Sequence, residues 1–191
     1  MLARFLAGGA CAVGMLVAVS VTQAAAHPYD QYIRGRSFFG TLFGPSIARG
    51  MISYPSNHKP GTIVASTAQR RLYLVLGNGQ ALSYGIGVGR DGFGWSGVKR
   101  VSAKREWPDW TPPAQMLRRR PDLPRHMAGG PDNPLGARAL YLGSSLYRIH
   151  GSNEPETIGQ AVSSGCFRLT NDDVIDLYAR VQMGATVIVQ Q

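Results

Sequence analysis

Beyond residue 60 the apolar positions fall mostly in short runs punctuated by glycine, the rhythm of strands and turns rather than of long helices. Residues 62–66 and 70–76 are expected strands, and Gly77-Asn78-Gly79 after the second is a hairpin turn. Residues 80–88 read as the returning strand, with Leu82, Tyr84, Ile86 and Val88 on one face. A second pair of strands, 139–142 and 146–150, is joined by Gly143-Ser144-Ser145, and residues 186–189 supply a last strand. Only residues 171–181 have a convincing helical period, with Val174, Leu177, Tyr178 and Val181 sharing a face. Thr170 or Asn171 can cap its start, Asp172 and Asp173 complement the helix dipole, and Gly184 is expected to end it. The pattern therefore predicts a mainly β domain with few helices.

Two segments do not fit this rhythm. Residues 27–60 scatter aromatics among Gly and Pro without sustained periodicity, and read as an N-terminal arm or linker. Residues 106–134 hold seven of the twelve prolines and two of the three tryptophans, so they cannot be a central strand. An irregular stretch of that length inside a compact domain is usually functional, and a lid over a binding cleft is the expected role. The triplet Arg118-Arg119-Arg120 within it reads as a solvated surface run.

Composition narrows the class further. A chain of 191 residues, 44% hydrophobic and 16% charged, suits one compact domain with a short appendage and is too apolar for a disordered tail. Two cysteines exclude a disulfide-dense scaffold and any all-cysteine metal site. The start of the chain reads as an address: Arg4, an apolar run over residues 6–21, then Ala24-Ala25-Ala26. Residues 1–26 are expected to be a cleaved signal peptide, because the run falls short of the ~20 residues that span a bilayer. Cys11 sits inside that run as one of its small residues. Processing would leave no stable membrane span, one cysteine, Cys166, and a net charge of 19 − 11 = +8 against +9 for the whole chain. An anionic partner outside the cytoplasm suits that balance; nucleic acid does not, since export removes the protein from it and no groove-reading motif occurs.

A lone thiol in an oxidising compartment is either buried and inert or kept for its reactivity. Cys166 follows Ser163-Ser164-Gly165, and His150 ends a predicted strand sixteen residues earlier. A thiol attacks a carbonyl as thiolate, and a histidine within hydrogen-bond reach takes its proton and later returns one to the leaving amine. Gly165 lets the chain bend, so that amides near Cys166 can converge on a developing oxyanion, and a backbone carbonyl can orient the base. The bland alternative is a satisfied strand-end histidine and a small buried cysteine, with Phe167 and Leu169 as core. Arg168 either pairs with an acid of the following helix or faces the substrate carboxylate or the loop that shapes the cleft. His58, in a Pro-flanked linker, and His126, in the lid segment, are poorer bases, and no H-x-H, H-x₃-H or C-x₂-C spacing suggests a metal.

The blocks Arg148-Ile149-His150-Gly151-Ser152-Asn153-Glu154-Pro155, Ile158-Gly159, Ser163-Ser164-Gly165-Cys166-Phe167-Arg168 and Asn171-Asp172-Asp173-Val174 resemble the L,D-transpeptidase (YkuD-type) catalytic domain. Asn133-Pro134-Leu135-Gly136 with the strand after it extends the likeness, which covers most of residues 61–191. The resemblance implies a β-sandwich of mixed sheets with short helices, acting on peptidoglycan stem peptides in the periplasm without a cofactor. It assigns Cys166 as nucleophile, His150 as base and the Gly151 carbonyl as its orienting acceptor. Gly165, Ser164, Ser152 and Arg168 would line the oxyanion hole and substrate site. Many members carry histidine where this chain has Ser164, which leaves His150 as the base, and threonine where it has Ser152. The acyl acceptor stays open: a second stem, water, or an amine of an outer-membrane protein. A non-catalytic wall-binding module is the competing class.

Overall fold

The computed structural model describes residues 48–191; the expected signal peptide and the first part of the arm lie outside the described residues. In chain order the elements are β1 (Gly50–Ser53), β2 (Ile63–Ser66), β3 (Arg71–Gly77), β4 (Gln80–Gly85), β5 (Val88–Gly89), β6 (Gly97–Glu106) and α1 (Ala114–Arg119). They continue with β7 (Arg138–Leu142), β8 (Arg148–His150), a 3₁₀ turn (Pro155–Thr157), β9 (Ala161–Ser163), β10 (Phe167–Arg168), α2 (Asn171–Arg180) and β11 (Thr186–Gln190).

Nine strands hydrogen-bond in the order β1-β4-β3-β2-β11-β6-β7-β8-β10, while β5 pairs with β9 apart from them. Pairing is mixed: β11 lies parallel to β2, β10 to β8 and β5 to β9, and the remaining pairs are antiparallel. Strand β6 joins the two halves. Its first residues, Gly97–Arg100, pair with β11 and its later ones with β7, with a register shift between Val101 and Ala103. A bulge there increases local twist and lets one half of the sheet fold towards the other. The halves meet on one core, where Ile63, Leu72 and Tyr84 pack with Leu140, Ile149 and Phe167, and Val174 and Leu177 of α2 complete it. Full burial of such side chains contributes about 1.5–3 kcal/mol each.

The expected β character and short helices are present, with several local corrections. The strand expected over residues 80–88 ends at Gly85, because the backbone changes partners there: the Ile86 amide donates to Arg70, the Gly87 amide to Arg168 and the Val88 amide to Gln160. Gly87 is needed at this crossing, since a Cβ would sit 2.9 Å from the Thr157 carbonyl oxygen. The longest strand, β6, has no counterpart in the expectation; five of its ten residues are charged and only Val101 is buried, so no alternation marks it. Part of the expected arm belongs to the sheet, because β1 pairs with β4 as an edge strand. Helix α2 is capped by Thr170, whose hydroxyl accepts from the Asp173 amide at 3.2 Å, and it ends at Arg180, short of Gly184. Its last carbonyls, Tyr178 and Val181, instead accept from Lys104 Nζ of β6 at 2.6 and 2.7 Å. The segment 106–134 contains the unpredicted α1 and an isolated bridge between Trp110 and Met127. Among the described residues no helix is long and apolar enough to cross a membrane.

Candidate active site

The neighbouring parallel strands β8 and β10 set Ile149 opposite Phe167 and His150 opposite Arg168. Ile149 and Phe167 point into the core, 0% and 1% exposed, so strand alternation turns His150 and Arg168 to the other face. Cys166 immediately precedes β10. His150 and Cys166 share two neighbours, the Arg148 and Arg168 guanidinia, which act on the ionisation of both.

His150 is 4% exposed, and its Nδ1–H donates to the Gly151 carbonyl at 2.6 Å. A carbonyl only accepts, so this bond fixes the proton on Nδ1 and leaves the Nε2 lone pair free. Burial drives the imidazole pKa down to about 3, the Arg168 and then the Arg148 guanidinium push it the same way, and the Gly151 bond works against them. Cys166 is a free, half-buried thiol whose Sγ lies 3.7 Å from the Leu146 carbonyl. Burial raises its pKa, while the Arg148 amide, the charges of Arg148 and Arg168 and a hydrogen bond from the Arg148 side chain pull the other way without prevailing. Both shifts favour the uncharged forms, a neutral thiol and a neutral imidazole.

The loops holding these groups are tied down by polar contacts. Gly151 lies where a Cβ would press on Asn171 Oδ1 and sit 3.0 Å from the Ala137 amide nitrogen. Asn171 Oδ1 accepts from that Ala137 amide at 2.9 Å, so the start of α2 holds the 136–137 turn that packs against Gly151. Ser152 is buried and its Oγ accepts from the Glu154 amide at 3.0 Å. Ser163 Oγ donates to the Cys166 carbonyl at 2.6 Å and accepts the Gly165 amide at 3.1 Å. The Gly165 amide is thus committed, whereas the Cys166 amide has no acceptor among the described residues. Ser164 is half-buried beside them.

Arg168 does not pair with an acid of the following helix. Its Nη1 lies 2.9 Å from Glu154 Oε2 and 3.4 Å from Thr157 Oγ1, so it braces the loop between His150 and Cys166. Sequence reasoning missed Ser163, Asn171, Arg148, Trp95 and Tyr147; the Ser163-Ser164 pair was visible, but nothing in it distinguishes the bracing serine from its neighbour. His126 lies beside Asp109 at 3.6 Å, away from these groups. His58 lines a wide concavity with Lys59, Arg180 and Met183 that contains none of the site residues. The segment 106–134 touches the loop after β5 through Arg119, whose guanidinium lies 5.0 Å from the centre of the Phe93 ring. Among the described residues no group of three or more His, Cys, Asp or Glu is arranged to hold a metal.

The family model of the L,D-transpeptidase catalytic domain (YkuD) matches residues 60–189, about two thirds of the chain. The chain belongs to this family. A curated relative, the probable L,D-transpeptidase ErfK/SrfK of Escherichia coli (strain K12), is 40% identical over 134 residues, covering 65% of this chain and 42% of that protein. The chain thus spans under half the length of that relative. An L,D-transpeptidase structure from Mycobacterium smegmatis shares the fold at a TM-score of 0.55 and 18% identity, covering 68% of this chain and 58% of that one. A Brucella melitensis crystal structure described as a probable carnitine operon oxidoreductase is 43% identical, with a TM-score of 0.52, and covers 79% of this chain and 98% of that one. In this transpeptidase domain Gly87, Gly89 and Gly92 do have the spacing of a dinucleotide-binding turn. They lead from β5 towards β6, however, and supply no helix N-terminus for a pyrophosphate.

Proposed function

We propose that the protein transfers acyl groups between peptidoglycan stem peptides through a thioester on Cys166. Its Sγ attacks the carbonyl at the L-centre of diaminopimelate in a tetrapeptide stem, while the thiol proton passes to His150 Nε2. The tetrahedral intermediate collapses as the C–N bond to D-alanine breaks, and the imidazolium returns its proton to the leaving amine. The amine of a second stem then attacks the thioester, releasing Cys166 and forming a cross-link between the third residues of two stems.

The observation that supports this reading best is the imidazole locked by Gly151 with Nε2 free, at the end of the strand paired with β10, which the half-buried Cys166 thiol directly precedes. With its proton fixed on Nδ1, the imidazole presents an open lone pair at Nε2, the site that can accept the thiol proton. The likeness to an enzyme named as a probable L,D-transpeptidase supports the substrate class. The basic balance of the chain suits stem carboxylates, and an exported, periplasmic location fits that substrate.

The test is incubation of the purified protein with tetrapeptide muropeptides and mass spectrometry of the products. Cross-linked dimer with equimolar D-alanine is the expected result. Release of D-alanine without dimer would make the protein an L,D-carboxypeptidase instead. Unchanged tetrapeptide, bound equally well by Cys166→Ala, would mark a wall-binding module and overturn the proposal.

A further inference from the structure

We infer that Trp95 is a positioning residue that aims the Cys166 backbone N–H at the oxyanion, an inference that rests on Cys166 being the acylated nucleophile. Three consecutive peptide groups surround the cysteine. Ser163 holds the two outer ones, through the Gly165 amide at 3.1 Å and the Cys166 carbonyl at 2.6 Å. The middle one, between Gly165 and Cys166, is held from the other side: Trp95 Nε1–H donates to the Gly165 carbonyl at 2.8 Å. In a planar trans peptide the N–H points opposite to the C=O. Fixing the Gly165 oxygen on the indole therefore fixes the direction of the Cys166 N–H, the amide that no described residue accepts.

The indole is itself held in place. It stacks on Tyr147, with ring centres 4.5 Å apart and planes 11° from parallel, and lies 5.7 Å from the Phe167 ring. Lys99 Nζ sits 5.5 Å from the Trp95 ring centre and 5.8 Å from that of Tyr147. Gly165 has φ +106°, and a Cβ there would come within 2.6 Å of Tyr147 Cε1. Glycine thus lets the nucleophile's peptide lie against the aromatic stack while its carbonyl reaches the indole. The indole N–H is committed to the Gly165 carbonyl, so the role assigned to it is orientation of a donor.

Two reactions of one sulfur separate this role from general support. Acylation passes through a tetrahedral oxyanion and needs the donor; alkylation by iodoacetamide is a displacement at carbon and forms none. In Trp95→Phe the ring remains and the N–H is lost. The proposal predicts that acylation by a carbapenem slows about 10- to 100-fold, somewhat below the loss for deleting an oxyanion donor outright. Alkylation of Cys166 should stay within about twofold of wild type, and kcat on tetrapeptide stems should fall with KM nearly unchanged. Benzothienylalanine at position 95, which keeps the indole shape without its N–H, should behave like Trp95→Phe and serves if the phenylalanine variant does not fold. Equal slowing of both reactions would mean a general loss of structure, and unchanged acylation would mean that the bond does not matter; either overturns the inference. Wild-type protein that takes no carbapenem adduct on Cys166 would instead defeat the proposed function itself.

Discussion

Uncharged at rest, the Cys166 thiol and the His150 imidazole differ from a thiolate–imidazolium pair in a way that titration reads. Burial raises the one pKa and pushes the other to about 3, so the thiolate does not accumulate at neutral pH. Alkylation of Cys166 by iodoacetamide is expected to rise with pH through and beyond the ordinary thiol range, near ~8.5, with no plateau between pH 5 and 8. A flat, fast rate over that interval would show a preformed ion pair. The same burial links His150 to stability. Its folded pKa lies below the usual 6.5, so between about 3 and 6.5 the unfolded chain takes up a proton that the folded one refuses. Stability therefore falls as pH drops from 6.5 towards 3, by at most about 1.4 kcal/mol per pH unit from this group. His150→Gln should flatten that part of a urea-denaturation profile.

Among the elements, the proposed site is built on the pairing of β8 beside β10 in parallel register, and α2 braces it. Asn171 Oδ1 holds the Ala137 amide and abuts Gly151, whose carbonyl orients the base. Asn171→Ala leaves a partly buried amide without its acceptor, which costs about 1–3 kcal/mol. Urea denaturation should register that loss, and carbapenem acylation should slow with it; unchanged values for both would remove Asn171 from the support of the base. The strands β2, β3, β7, β8 and β11 were legible because their apolar residues alternate or cluster between glycine-containing turns. Strand β6 was not, since it joins two halves of the sheet with most of its residues exposed, and charged side chains there cost nothing to solvate. The candidate pair could be named for a different reason: His150 and Cys166 are scarce residue types with reactive side chains. Trp95, Ser163 and Asn171 act through single hydrogen bonds to backbone groups remote in sequence or hidden in a turn, and no local pattern announces such a bond.

For the whole molecule, a nine-stranded sheet packs its two halves on one main apolar cluster, with His150 at the end of β8 and Cys166 just before β10, and the 106–134 segment touches Phe93 through Arg119. The chain as a whole carries +9, spread over twenty basic and eleven acidic residues. Binding to purified sacculi is expected to weaken steadily from low salt to about 0.5 M, where screening acts within a few ångströms. Salt-independent binding would assign the affinity to apolar or hydrogen-bonded contacts instead. The most direct test of the account is the intact mass of the protein after exposure to a carbapenem, for wild type, Cys166→Ala and His150→Ala. One covalent adduct is predicted on the wild type, none on Cys166→Ala, and one forming about 10²- to 10⁴-fold more slowly on His150→Ala. An adduct that persists at full rate without the Cys166 sulfur would contradict it.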